Sequence, residues 1–238
     1  MHRFSILKAA VIVVVVTGQT KNQGITMKTG KISNDVLKRI IIDKINNSRK
    51  EVVISPQIGE DCSVIDLDGS LCVLSSDPIT GATKDIGKLA VHISCNDIAS
   101  CGAEPIGMIM TILLPRGTSE SELEQIMAQI CKTAESLHVD ILGGHTEVTD
   151  AVNRFVISGT CVGKVSGAEI VTSSGAVPGD YIIMTKSAGI EGTAIIAAEK
   201  EKELKNVFGS AFLKKAKSFI DNISVVKEGL IAGKFGVN

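Results

Sequence analysis

The stretch that decides the fold is residues 85–105, DIGKLAVHISCNDIASCGAEP. Apolar residues recur there on almost every side of a helix, and Gly102 and Pro105 predict where that helix ends. A helix without a polar face is normally buried. Asn96 and Asp97 nevertheless stand side by side near its middle, and a buried carboxylate is costly unless it is paired, hydrogen-bonded or bound to a metal. The sequence therefore predicts a buried central helix and a partner for Asp97.

The composition of the 238 residues is typical of a globular protein with an aliphatic core, since 44% are apolar and only 3% are aromatic. A net charge of −1 gives no electrostatic reason to expect nucleic acid or a membrane surface as a partner, and we expect neither. The six cysteines contain no C-x-x-C pair. We therefore expect free, mostly buried thiols and a reducing, cytoplasmic environment.

The first 26 residues are interpreted as an extension or a misassigned start. They have a basic beginning and a short apolar run at residues 9–16, well below the ~20 residues of a membrane-spanning helix. Met27 comes shortly before a well-formed helix start, which favours initiation there. A secretory signal is the alternative, although residues 17–20 offer no good small-x-small cleavage site.

The rest of the chain alternates strand and helix patterns. After a helix capped around Ser33, Asn34 and Asp35, two strand-like runs at residues 62–67 and 71–76 are joined by Asp68 and Gly69, a strong hairpin signal. The further elements expected are the helix at 85–101, a strand at 106–114, a helix at 118–137 capped by Thr118, and strands at 139–142 and 154–162. This β-β-α-β-α-β-β order predicts an α+β fold, a mixed sheet with helices on one face.

A second unit is expected to begin near the turn at residues 177–180. The pattern predicts one strand at 181–185 and helices at 193–203 and 210–219. One strand is too little sheet to bury two helices. We therefore divide the chain into a first domain at 27–165 and an incomplete second α/β domain at 166–238.

Carboxylates lie at both ends of the predicted hairpin. Asp61 precedes its first strand and Asp77 follows its second, so the two should approach each other. Paired carboxylates suit Mg²⁺, which takes oxygen ligands and shares them with phosphates. The alternative is that both are solvated loop residues that cap turns.

A glycine pair, Gly143 and Gly144, is predicted to end a strand, where backbone N–H groups can approach a phosphate closely. The next residues, His145, Thr146 and Glu147, could then contact a nucleotide or substrate. The alternative is a tight turn with a hydrogen-bonded histidine.

Five motifs, in order along the chain, resemble the AIR synthase-related superfamily. That superfamily includes aminoimidazole ribonucleotide synthase, selenophosphate synthetase, thiamine-monophosphate kinase and the hydrogenase maturation factor HypE. The motifs are GEDCSV at 59–64, SSD at 75–77, DIGKLAV at 85–91, Asn96 and Asp97 followed by GAEP at 102–105, and GGHT at 143–146. The helix motif is most similar to the HypE branch, and the resemblance extends from about Met27 to the C-terminus.

The resemblance implies an ATP-binding first domain that pairs with its twin in a homodimer and joins the two sheets into a barrel. It also implies ATP held through Mg²⁺. The implied metal ligands are Asp61, Asp77 and Asp97, the implied nucleotide contacts are Asn96, Gly143, Gly144, Thr146 and Glu147, and the implied catalytic residues are Asp97 and His145. Glu60 stands where many relatives have Asp, which puts the metal geometry in doubt.

The chemistry implied is transfer or release of the ATP γ-phosphate, often to activate an amide-type oxygen, in hydrogenase maturation or a related process. The acceptor could be a small molecule or borne on a protein. Relatives continue with a His-Asp-x-Thr-Glu-Gly-Gly-like segment, and HypE proteins end in a reactive cysteine, neither of which this chain contains. We therefore expect a fragment, and leave open whether it is an enzyme. The alternatives are an inactive nucleotide-binding or dimerising module and, if the first 20 residues are a signal, a secreted binding protein.

Overall fold

The computed structural model describes residues 4–5, 27–165 and 170–237, so most of the predicted N-terminal extension lies outside the described residues. The elements are β1 Phe4–Ser5, α1 Asn34–Ile40, β2 Val52–Ile54, β3 Ser63–Leu67, β4 Ser70–Ile79, α2 Ile86–Ser100, β5 Ala103–Leu114, α3 Glu120–Leu137, β6 Asp140–Val148, β7 Val156–Val165, β8 Tyr181–Ile182, α4 Ile190–Glu199, α5 Glu201–Lys217 and α6 Val226–Phe235. Short 3₁₀ helices follow α1 and α5, at Ile42–Lys44 and Ser218–Asn222.

Six strands form one mixed sheet in the order β2-β3-β4-β7-β5-β6. Only β5 and β6 are parallel, and α3 makes the crossover between them. Helices α2 and α3 cover one face. The other face carries half-buried and exposed side chains, among them Leu74, Ile109 and Val162. The predicted α+β fold with helices on one face of a mixed sheet is confirmed.

Helix α2 is the centre of the core, as its apolar pattern predicts. Ten of its residues are buried, including Leu89, Val91 and Ile98. It packs closely on α3, because a Cβ on Gly87 would lie 2.7 Å from the backbone oxygen of Ile126. The helix ends at Cys101, and Gly102 follows in the left-handed region at φ 74°.

The predicted β3–β4 hairpin forms with Leu67 opposite Ser70. Both turn residues have positive φ, 54° at Asp68 and 91° at Gly69, as a two-residue primed turn requires. The turn is supported by Asp66, whose Oδ1 accepts a hydrogen bond of 2.6 Å from the Gly69 N–H.

Residues 52–54 form an additional edge strand, β2, that was not predicted. Two local predictions were wrong. The cap of α3 is Ser119 rather than Thr118, because Ser119 forms a reciprocal capping box with Glu122. The glycine pair lies inside β6 rather than at the end of a strand.

Residues 170–237, the described part of the predicted second domain, pack on α2 and β5 through α6. A Cβ on Gly229 would lie 2.1 Å from the Ala99 oxygen, and one on Gly233 would lie 2.8 Å from the Gly102 Cα, so α6 and the end of α2 are in direct backbone contact. Within residues 170–237 the only strand is β8, two residues long, paired in parallel with β1. In the described part of the chain, no helix is long and apolar enough to cross a membrane.

Candidate functional site

An acidic cluster forms where α2 packs against β4, close to the residues that precede β3. Ser75, buried on β4, donates a hydrogen bond of 2.9 Å from Oγ to Oδ2 of Asp97. Asp77 is two residues further along the same strand and so lies on the same face, close enough for its charge to raise the pKa of Asp97. Asp61 precedes Cys62, whose thiol donates to the Asp97 backbone oxygen at 3.2 Å. The structure therefore brings together the three aspartates that were predicted as metal ligands.

The position of Asp77 differs in one respect from the prediction. It lies within β4 rather than after it, because β4 continues to Ile79 and pairs with β7, placing Asp77 opposite Gly159. A strand interior holds a carboxylate more firmly than a loop does. The prediction that both carboxylates lie at the ends of the hairpin is therefore wrong for Asp77, although the juxtaposition it implied is correct.

The electrostatics of the cluster centre on Asp97. Burial and, next, the neighbouring charges of Asp77 and Asp61 raise the pKa of its carboxyl to about 8, against the opposing effect of the hydrogen bond from Ser75. A carboxylate in this setting gains from a nearby positive charge. The arrangement is therefore suited to a cation.

The three aspartates do not by themselves enclose a metal. Across residues 27–165 and 170–237, no group of three or more His, Cys, Asp or Glu side chains is arranged to hold one. Mg²⁺ is usually bound by one or two carboxylates, with water and substrate phosphates as its other ligands, rather than by a closed protein cage. The cluster fits a shared site of that kind.

The glycine pair allows β6 to approach β5 closely. Gly143 and Gly144 have φ of 139° and 147°, and a Cβ on Gly144 would lie 1.8 Å from the Met110 oxygen. The register shifts at this point, and Leu142 is the extra residue of a bulge. Gly144 is thus required by strand pairing, whatever else it contacts.

A shallow pocket of about 290 Å³ borders this bulge, lined by Met127, Leu142, Gly144 and Thr146 among others. His145 Nε2 lies 3.2 Å from Glu147 Oε2 on the exposed edge strand. Two strands separate β6 from β4, so β6 lies roughly 14 Å from the strand of Asp77. Within one chain the two residues predicted as catalytic, His145 and Asp97, therefore lie in different parts of the domain.

Asn96 makes contacts that differ from those predicted. Its Nδ2 donates to the Ile223 oxygen at 2.9 Å, and its Oδ1 accepts from the Val225 N–H at 2.8 Å. Both ends of the amide are thus engaged by the backbone ahead of α6. These contacts give no support to Asn96 as a nucleotide ligand and make it a link to the second unit.

Sequence reasoning missed the other links between the two units. Glu60 Oε1 accepts hydrogen bonds from the backbone and hydroxyl of Ser173, at 2.6 and 2.5 Å. The Glu199 carboxylate accepts from the backbone N–H groups of Thr83 and Lys84 at 2.7 and 2.8 Å. Their separations along the chain exceed one hundred residues, and no local pattern indicates them. Ser75 could have been found, because it is two residues before Asp77 on a predicted strand.

The sequence of this region matches a known domain. Residues 59–165 match the family described as AIR synthase related protein, N-terminal domain. Residues 59–165 are an AIR synthase-related domain. The family predicted from the five motifs is therefore confirmed.

Relatives from several branches of the superfamily are similar to the chain. It is 30% identical to carbamoyl dehydratase HypE of Cupriavidus necator over 57% of this chain and 40% of that protein. It is 28% identical to a protein of Methanocaldococcus jannaschii named as a putative hydrogenase expression/formation protein, over 72% of this chain and 52% of that protein. It is 31% identical to phosphoribosylformylglycinamidine cyclo-ligase of Thermococcus kodakarensis, over 50% of this chain and 36% of that protein. The chain thus spans about half the length, or less, of these curated relatives.

Solved structures show the same fold. A HypE–HypF complex superposes with a TM-score of 0.57 at 25% identity, covering 70% of this chain and 54% of that one. A ThiL complexed with AMPPCP and TMP superposes with a TM-score of 0.64 at 18% identity, covering 76% of this chain and 58% of the ThiL chain. The likeness to ThiL shows the fold alone.

Proposed function

We propose that this protein binds Mg-ATP at the acidic cluster and, as a homodimer, takes part in ATP-dependent phosphoryl transfer. The observation that carries the proposal is the convergence of Asp61, Asp77 and Asp97, from the segment before β3, from β4 and from α2. Family membership supports a nucleotide-using role, since relatives in three branches carry the names of carbamoyl dehydratase, cyclo-ligase and kinase.

Each residue of the cluster has a definite part in this proposal. Asp61, Asp77 and Asp97 would hold the cation, which when bound neutralises phosphate charge and orients the γ-phosphate. Ser75 fixes the carboxylate of Asp97 by its 2.9 Å hydrogen bond, so that Asp97 does not have to be ordered when the ligand arrives. Asp97 is proposed as a ligand of the cation rather than a base.

The residues on β6 are proposed as nucleotide contacts away from the cation. Gly143 and Gly144 expose backbone beside the 290 Å³ pocket, and Thr146 and Glu147 follow them on the strand. His145 lies too far from Asp97 within one chain to act together with it. A catalytic role for His145 therefore depends on a second chain contributing it.

The homodimer is proposed from the uncovered face of the sheet. Leu74 lies opposite Val162, and Ile109, on the same face, is 47% exposed. Burying such a face against a second copy removes apolar surface from water and joins the two sheets into the expected barrel. The proposed acceptor is an amide-type oxygen on a small molecule or a protein, as in hydrogenase maturation of the HypE type.

Mg-ATP binding is tested by calorimetric titration and thermal unfolding of the chain. A ligand at one hundred times its Kd stabilises the native state by about 2.7 kcal/mol, which predicts a rise in Tm of roughly 5–10 °C. We expect Asp97→Asn to abolish most of this shift. Asp150→Asn, which alters an exposed aspartate paired with Arg116, should leave it unchanged. Absence of any shift in the unaltered protein would refute the proposal.

A second candidate is a nucleotide-binding or dimerising module without catalytic activity. It is favoured by the second unit, where the side chains of Tyr181, Ile182 and Met184 around the short β8 are 59 to 74% exposed. Release of ADP from Mg-ATP in the presence of candidate acceptors distinguishes the two. If Mg-ATP binds but no ADP is released with any of the acceptors, the module without catalytic activity is favoured.

A further inference from the structure

The region ahead of α6, residues 223–225, is joined to α2 beside the acidic cluster. The Asn96 side chain is hydrogen-bonded to both ends of this segment: its Oδ1 accepts from the Val225 N–H, and its Nδ2 donates to the Ile223 oxygen. A side-chain amide that makes two hydrogen bonds to one backbone segment fixes that segment in distance and in orientation. Asn96 is next to Asp97 in the chain, so the same turn of α2 carries the cluster and this contact.

The segment cannot move independently of α2. Ile223 and Val226 are buried in the main hydrophobic core, 5% and 8% exposed. One turn later Gly229 lies against Ala99, where no Cβ could fit. A shift of residues 223–225 must therefore be accommodated by residues 96–99 of α2, because packed interiors transmit displacement.

The opposite side of the segment is held by the second unit. The Lys186 ammonium, in the loop between β8 and α4, donates to the Ser224 oxygen and pairs with Glu228 at 3.2 Å. Hydrogen bonds thus run from Asn96, the chain neighbour of Asp97, through residues 223–225, to Lys186.

We propose that Asn96 is a positioning residue that couples ligand binding at the acidic cluster to the Lys186 loop of the second unit. The inference rests on the proposed function, since it takes Mg-ATP as the ligand. Asn96 does not touch the ligand in this scheme. It keeps the Asp97 turn of α2 and residues 223–225 in one arrangement, so that ordering either one favours the other.

The first test uses the unaltered protein and hydrogen–deuterium exchange with and without Mg-ATP. We expect Mg-ATP to slow exchange of the backbone amides around residues 223–226, which lie in the second unit. If Mg-ATP binds by calorimetry and these amides are unaffected, the coupling is overturned and the proposed function stands. If Mg-ATP does not bind, both are overturned.

The second test removes the link. Asn96→Ala should weaken Mg-ATP binding about tenfold, within the range that changes along coupling networks produce, and should abolish the exchange response. Lys186→Met reaches the segment from the other side, so its effect on Kd should be non-additive with that of Asn96→Ala. Asp221→Asn is the matched control, because Asp221 ties the same region to α2 at Lys88, two turns from Asp97. Unchanged Mg-ATP affinity in Asn96→Ala, or equal weakening in Asp221→Asn, would contradict the proposal.

Discussion

Asp97 is the residue at which stability and the proposed function conflict. Burial and the charges of Asp77 and Asp61 raise its pKa to about 8, whereas an unfolded chain has an ordinary aspartate. A raised pKa means that the folded state binds the proton more tightly, so stability is highest below the unfolded pKa and falls as the pH rises toward 8. The ligand-free protein is therefore destabilised by this carboxylate at neutral pH.

Asp97→Asn is accordingly expected to raise the Tm of the ligand-free protein at pH 7.5, while abolishing the shift caused by Mg-ATP. The amide keeps an oxygen for the hydrogen bond from Ser75 and removes the crowded charge. Each kcal/mol gained corresponds to roughly 2–4 °C in Tm for a chain of this size. Differential scanning calorimetry at pH 5 and 7.5 checks it, and the gain should be smaller at pH 5. A lower Tm at pH 7.5 would contradict this view of the cluster.

His92 predicts a second pH dependence, unrelated to the cluster. Its Nδ1 is buried and has no hydrogen-bond partner among the described residues. Burial and the charges of Lys88 and Lys186 lower its pKa to about 4, against the opposing charge of Asp221. Because an unfolded histidine titrates near 6.5, the folded protein loses stability as the pH falls from about 6.5 to 4, and nothing is lost above this window.

His92→Leu should remove most of that loss, which amounts to at most about 3 kcal/mol for a single shifted group. The measurement is urea unfolding of the variant and the unaltered protein at pH 7 and 4.5, comparing how much each loses. His145→Gln, at an exposed histidine, is the control and should keep the original loss. Equal losses in all three proteins would show that His92 is not the group responsible.

At the scale of elements, β6 depends on a glycine. A Cβ on Gly144 would lie 1.8 Å from the Met110 oxygen, whereas one on Gly143 would meet no atom of the described residues within 4 Å, although both residues have positive φ. The backbone strain of an alanine is thus similar at the two positions, and only Gly144 adds a collision with β5. Comparing an alanine at the two positions therefore separates the cost of the collision with β5 from the cost of the strained φ.

We expect Gly144→Ala to destabilise the protein by several kcal/mol, or prevent folding, and Gly143→Ala to cost about 1 kcal/mol from strain alone. Chemical denaturation gives both values. For Gly144→Ala, hydrogen exchange should show β6 losing protection before β4 and β7. Equal destabilisation by the two substitutions would mean that the strands separate easily and that the close approach is unimportant.

At the scale of the whole molecule, the uncovered sheet face and the second unit both expose apolar side chains. The proposed dimer uses the first of these surfaces. Ile109→Asp places a charge on this surface and should convert the dimer to a monomer. Val207→Asp, at a residue 71% exposed on α5, is the matched control and should leave the dimer intact. Light scattering after size exclusion measures the mass. A monomer before any substitution, or dissociation by the control alone, would refute this interface.

Sequence periodicity determined the elements of the first domain, because their signals are local. The apolar pattern of residues 85–101 predicted a buried α2, and Asp68 with Gly69 predicted the hairpin. Both signals depend only on residues that are close together in the sequence. The acidic cluster was also predictable, because a hairpin joins its own ends and α2 follows directly. The additional strand β2 was not predicted, since an edge strand of three residues has no repeating pattern of its own.

Only the tertiary structure decided what connects the two units. The contacts of Asn96 with residues 223–225, of Glu60 with Ser173 and of Glu199 with Thr83 join residues more than one hundred positions apart. A side-chain amide or carboxylate can bind a metal, a nucleotide or a backbone group equally well, and its residue type does not say which. The sequence by itself thus determined the fold of the first domain and the identity of the aspartates. Packing decided that Asn96 binds backbone and that His145 lies apart from Asp97, because those outcomes depend on which distant groups the folded chain places within reach.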